Sequence, residues 1–133
     1  MSILQILKKI LHRIKNAFGM SSVWTNSNVK NEFAAKKIPL DLSDSDGVVV
    51  SFSKDPASVS WVESRICFKG DRTDIGMTYH AGIMRRYVDV LDDGVSFSDC
   101  SRFPTFNSAS SAIAANSRMI PYKIYAFKLS GGG

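Results

Sequence analysis

Acidic residues are missing from the first 31 positions: the earliest is Glu32, while Lys8, Lys9, Arg13, Lys15 and Lys30 all precede it. The 133-residue chain holds 17 basic and 12 acidic residues, so positions 32–133 carry 12 of each and the formal charge of +5 belongs to the N-terminal arm. A nucleic-acid-binding domain more often spreads its bases over the folded part. Cysteine is scarce as well. Cys67 and Cys100 are the only two, without the Cys-x-x-Cys spacing of a zinc or redox site, and they read as reduced core thiols of an intracellular protein. The two histidines are His12, on the basic face of the arm, and His80. His80 with Cys67 or Cys100 and an aspartate would make a thiol site, but neither cysteine has a recognisable flanking motif, and a structural histidine near a loop is the simpler reading. No phosphate-cradling glycine loop, metal-spaced His/Cys pair or Gly-x-Ser-x-Gly occurs. The expectation is a non-enzyme with no metal and no cofactor.

Long apolar runs are missing too, since the ~20 uninterrupted positions needed to cross hydrocarbon are never reached. The N-terminus lacks the charge-then-apolar order and the small-residue cleavage site of a secretory signal. A mitochondrial presequence stays open as an alternative, because the segment is amphipathic, basic and free of acids, although it has one arginine and few serines.

What is present is a basic amphipathic helix over 1–20. On a 3.6-residue period the apolar positions from Ile3 to Phe18 gather into one stripe, with Lys8, Lys9, His12, Arg13 and Lys15 opposite, and Gly19 stands where a left-handed cap ends a helix. Such a helix settles at the headgroup boundary of an anionic membrane or in a partner's groove; packing on its own domain is the plainer alternative. The candidate membrane contacts are Ile3, Leu4, Leu7, Ile10, Leu11, Ile14 and Phe18 on the apolar side, with Lys8, Lys9, Arg13 and Lys15 facing the headgroups.

Residues 21–31, rich in Ser and Asn, read as a linker, 32–130 as a single β-rich α+β domain, and 131–133 as a flexible tail. The expected fold is therefore α+β: the N-terminal helix, then a small, mainly antiparallel sheet with one or two short helices. Glu32 to Lys37 is expected to form a helical turn before Pro39, and Asn107 or Ser108 to cap an Ala/Ser helix running to about Asn116. Strands are expected at Val48 to Ser53, at Val59 to Phe68 with a bulge near Trp61, at Arg85 to Leu91, at Val95 to Ser98 and, centrally, at Pro121 to Leu129. Asp92-Asp93-Gly94 reads as a hairpin turn, Lys69 to Asp74 as a loop, and Met77 to Met84 as ambiguous. Trp61, Phe68, Tyr87, Ile113, Ile124 and Phe127 are the expected core. Asp41 to Gly47 imitates a calcium loop, but Leu42 and Ser53 would occupy the first and twelfth ligand positions, which excludes it.

Arg65, Lys69, Arg72, Arg85 and Arg86 are candidate nucleic-acid contacts if they converge, with Tyr87 or Tyr79 as a stacking partner. Asp71, Asp74, Asp89, Asp92 and Asp93 interleave with them, so a mixed solvated face is the alternative. A neutral domain with many strand edges favours homo-oligomers, and Trp24 and Phe103 are the candidate interface anchors unless both are buried within their own chain.

The order of Ser-Arg-Phe-Pro-Thr-Phe at 101–106, the Ala/Ser stretch at 108–117 and Arg-Met-Ile-Pro-Tyr-Lys-Ile-Tyr-Ala-Phe at 118–127 resembles the centre of matrix proteins of non-segmented negative-strand RNA viruses. The opening Met-Ser-Ile-Leu-Gln-Ile-Leu-Lys-Lys-Ile-Leu resembles the start of rhabdovirus matrix proteins, and the length is nearer that of bornavirus and nyamivirus ones. No Pro-Pro-x-Tyr or Pro-Thr-Ala-Pro motif is present. The resemblance implies a peripheral protein of the virion and of the cytoplasmic face of the host-cell membrane. It would bind anionic lipid, self-assemble and bridge envelope to nucleocapsid, with nucleocapsid protein or RNA as further partners. The alternative is a small viral accessory protein whose basic helix binds a host protein or RNA.

Overall fold

Alternating β-branched residues set the architecture. In the computed structural model, which describes residues 2–8, 21–55, 58–79, 82–103 and 112–129, a short helix α1 (residues 3–8) precedes ten strands. They are β1 (Ser21–Thr25), β2 (Lys36–Pro39), β3 (Gly47–Asp55), β4 (Ser58–Phe68), β5 (Arg72–Tyr79), β6 (Gly82–Leu91), β7 (Gly94–Phe97), β8 (Ser101–Phe103), β9 (Ile113–Ala114) and β10 (Ile120–Phe127). One antiparallel sheet runs β1-β10-β3-β4; the other runs β2-β7-β6-β8-β9, with β5 on the far side of β6.

The inner faces close on each other as a sandwich. Val48, Val50 and Phe52 alternate inward on β3, Met84, Val88 and Val90 on β6, and all six are buried in one core. Phe52 meets Phe97 of the opposite sheet edge-on at 6.3 Å between ring centres. At one end Gly47 stands opposite both Phe68 and Phe127, whose rings close over it at 5.8 Å. A methyl group there would lie 2.7 Å from the Phe127 ring, so the bare backbone lets both aromatics pack.

The α+β expectation is corrected to a mostly β fold, with α1 the one helix among the described residues. Glu32 to Lys37 forms no helical turn: Phe33 is drawn into the core, and Lys36–Pro39 pairs with β7. The far end of the expected Ala/Ser helix is also extended, since Ile113 and Ala114 pair with Arg102 and Ser101. There the Asn116 carboxamide accepts from Cys100 N–H at 2.8 Å and donates to Asp99 at 3.0 Å, holding the chain in a turn. The rest of that expected helix, 107–111, lies outside the described residues. The 21–31 linker is corrected as well, because Ser21–Thr25 pairs with β10 and Asn26 donates to Tyr122 O at 2.8 Å. Among the described residues the sheet thus already includes Ser21. The tail, 131–133, lies outside the described residues.

Other expectations hold in form. β10 is an inner strand, and Asp92-Asp93 closes the β6–β7 hairpin. The β3–β4 register slips between Ser53↔Val62 and Asp55↔Ser58, which places extra β4 residues just before Val62 as the change of phase requires. Met77 to Met84 resolves into the end of β5 and the start of β6, and Arg72 already belongs to β5. Of the expected core, Ile124 and Phe127 are buried, whereas Phe68, Tyr87 and Ile113 are exposed. Phe68 and Tyr87 lie on outer sheet faces and Ile113 on a two-residue edge strand. The Trp61 side chain lies outside the described set.

Candidate functional site

Helix α1 carries its own start signal. Ser2 Oγ accepts from the Gln5 N–H at 3.1 Å, Gln5 Oε1 accepts from the Ser2 N–H at 3.0 Å, and Ile6 N–H reaches Ser2 O at 3.1 Å. Two amide donors that a helix end leaves orphaned are thereby satisfied reciprocally. Hydrophobic periodicity does not reveal these two residues; the Ser-x-x-Gln spacing at 2–5 is the signal that does. Beyond the cap Ile3 is 77% and Leu7 52% exposed, with Leu4 and Ile6 exposed beside them and Lys8 following. The other described residues do not cover this apolar row, which is the feature that separates a contact surface from a helix packed on its own domain. Lys9, Ile10, Leu11, Arg13, Ile14, Lys15 and Phe18 lie outside the described residues, as does His80. Among the described residues no helix is long and apolar enough to cross a membrane, and no His, Cys, Asp and Glu group is placed to hold a metal ion.

The five candidate nucleic-acid contacts do not converge. Arg86 is fully buried on the inner row of β6. Its Nε donates to Met119 O at 2.9 Å, Nη1 to Ser98 O at 2.7 Å, and Nη2 to Phe33 O at 2.9 Å and Arg118 O at 3.2 Å, while the guanidinium lies 5.5 Å from the centre of the Phe33 ring. Desolvation pushes its pKa down, opposed by nearby Cys100 and Asp99. The carbonyls come from three connections between strands, so Arg86 pins them to β6 and is removed as a phosphate contact. Met119 is bound there with φ at 46°, a left-handed conformation costing a non-glycine residue about 1 kcal/mol, and its carbonyl faces Arg86.

The other four, Arg72 exposed and Arg65, Lys69 and Arg85 half-buried, are each matched to an acid. Arg72 makes a two-pronged pair with Asp89, both bonds 3.0 Å, and Arg85 pairs with Asp74. Arg65 pairs with Glu63 at 2.8 Å, and Lys69 with Asp92 at 2.9 Å while also donating to Leu42 O and Ser43 O. Arg72 and Arg85 flank the exposed Tyr87 ring at 5.4 and 6.0 Å, so the expected stacking partner is stacked by its own chain. The resulting face has alternating signs and lacks the one-signed field that gathers a phosphate backbone.

The chain matches no family model, no curated protein and no solved structure.

Of the two candidate interface anchors, Trp24 is half-buried and packs edge-on against Phe33 at 6.3 Å, and Phe103 is half-buried beneath the Arg85 guanidinium at 5.9 Å. Each spends much of its apolar surface within the chain. Cys67 and Cys100 are buried and free, their thiol pKa values raised by desolvation, so neither resembles an activated nucleophile. A shallow open depression lined by Pro39, Leu40, Asp41, Asp92 and Asp93 has both of its hairpin aspartates tied to lysines.

Proposed function

We propose that this protein is a non-enzymatic, matrix-like structural protein that lies on the cytoplasmic face of an anionic membrane and in the virion. It anchors through its N-terminal helix, self-associates through its β-domain and bridges envelope to nucleocapsid. The observation that carries this reading is the exposure of Ile3, Leu4, Ile6 and Leu7 on a capped helix that includes Lys8, with Lys9 next in the sequence. Apolar side chains held in water favour transfer at roughly 25 cal/mol per Å², and each nearby lysine or arginine adds about 1 kcal/mol at an acidic leaflet. The neutral balance of 32–133 leaves this attraction to the arm. Binding of RNA by the sandwich is disfavoured by the acid paired to each of Arg65, Lys69, Arg72 and Arg85.

The test is flotation of the full chain with phosphatidylserine-containing and with neutral phosphatidylcholine vesicles at low and high salt. Association with the anionic vesicles that weakens with salt without vanishing is expected, because screening removes the charge attraction and leaves the insertion. Protein remaining at the bottom of the gradient with both lipids contradicts the membrane role.

A further inference from the structure

The self-association proposed above has a surface in the fold, the open edge of β4. Among the described residues β4 has a strand partner on one side, β3, and its other side is the rim of its sheet. At 11 residues it is the longest strand, and its outward row carries Val62, Ile66 at 55% and Phe68 at 49% exposure. The other rims are blunted. β2 holds Lys36, Lys37 and Pro39, β9 has two residues, and β1 has five with a bulge between Ser22 and Trp24. β5 presents the charged Arg72 and Asp74 along its edge.

Inward-facing Glu63 and Arg65, which pair with each other within the chain at 2.8 Å and would exchange partners in a dimer, would ordinarily guard β4 against pairing. Their order reverses that effect for one occupant. A second copy related by a two-fold axis at Ser64 pairs antiparallel, and residue numbers facing each other then share a constant sum. Glu63 falls opposite Arg65 of the second copy, Arg65 opposite its Glu63, and Val62 opposite its Ile66. We infer that β4 pairs with β4 of a second copy across this axis, joining two four-stranded sheets into one of eight strands. Side chains directly opposite in such a pair share a face, so the ion pairs lie together on the inner side and the apolar pairs on the outer. The contact is self-complementary, as a closed two-fold dimer requires. It also brings two N-terminal arms to one assembly, which multiplies weak membrane anchoring.

This inference rests on the self-association reading, and the experiment separates the two. Sedimentation equilibrium gives the mass of the full chain from low to high micromolar concentration, in solution, and crosslinking gives its state on phosphatidylserine vesicles. Wild type is expected to dimerise. Glu63→Arg and Arg65→Glu each place like charges opposite one another twice, and each is expected to weaken dimerisation roughly tenfold or more. Mixing these two variants restores both matches, so native mass spectrometry should find the heterodimer, with homodimers depleted. The double exchange E63R/R65E should dimerise as wild type does. A folding defect in a single variant would not be rescued by mixing. Single variants that dimerise like wild type, or folded variants that fail to form the heterodimer, would overturn the β4 edge while leaving self-association standing. A wild-type monomer in every condition, vesicles included, would overturn both.

Discussion

Arg86 joins connections far apart in the sequence through a side chain that reaches Phe33, Ser98, Arg118 and Met119 carbonyls at once. Replacing it with Met removes the donors that the buried Phe33 and Met119 carbonyls use, and those of the part-buried Ser98 and Arg118 carbonyls, so Arg86→Met is expected to lower unfolding free energy by on the order of 3 kcal/mol or more. Arg86→Lys should recover only part, because one ammonium cannot span the three connections; urea denaturation of the three proteins measures both. The placement of Arg86 was readable in part, since the alternation groups it with Val88 and Val90, but nothing local announces the carbonyls that make a buried charge tolerable. Asp99 is a second local anchor. It accepts from Ala35 N–H at 2.7 Å and from Asn116, and these bonds hold its carboxyl below the ordinary carboxylate range. A lowered folded pKa stabilises above the unfolded value of about 4, and that contribution is lost as pH falls through the folded one. Urea midpoints measured on acidification below about pH 4 should therefore fall more steeply for wild type than for Asp99→Asn. The buried thiols of Cys67 and Cys100 should resist a disulfide-exchange reagent in the native state and both react in denaturant; rapid native labelling would contradict their placement.

Strands with clear alternation were the most legible elements. Val48, Val50 and Phe52 point inward as their spacing requires, and the β-bulge before Val62 shows as a break in the β4 pattern. The helical turn expected at Glu32 to Lys37 and the described end of the expected Ala/Ser helix fail for a shared reason, competition from distant partners. Lys36 to Pro39 has little strand pattern of its own and is recruited by β7, while Asn116 spends its side chain on Cys100 and Asp99. The Ser and Asn of 21–31 suggest a linker by composition, yet Trp24 and Val29 pack on the core and β1 follows β10. Nor does pattern alone place Arg72 and Arg85 beside acids, because that pairing depends on the β5–β6 register. Gly47 gives a prediction at this scale. A methyl group there meets Cys67 O at 2.5 Å as well as the Phe127 ring, so Gly47→Ala should destabilise by about 1–3 kcal/mol in thermal or chemical melts, as overpacking does.

Across the molecule charge and exposed apolar surface are divided between two parts. The folded part from Ser21 onward is nearly balanced, with 13 bases and 12 acids, and ties the cations that the sequence singles out, whereas Lys8, Lys9, Arg13 and Lys15 stand in the acid-free arm, whose apolar row the other described residues leave exposed. On the proposed reading the arm is the membrane contact and the sandwich the assembly body. The proposed membrane contact predicts different effects for its two faces. The most direct measurement is flotation of full-length wild type, Leu7→Glu and Lys8→Ala/Lys9→Ala on phosphatidylserine vesicles across a salt series. Leu7→Glu should abolish binding at every salt concentration because it places a charge where the helix inserts, whereas the lysine variant should bind more weakly with a shallower salt dependence. Equal flotation of all three proteins would contradict the proposed role of the helix.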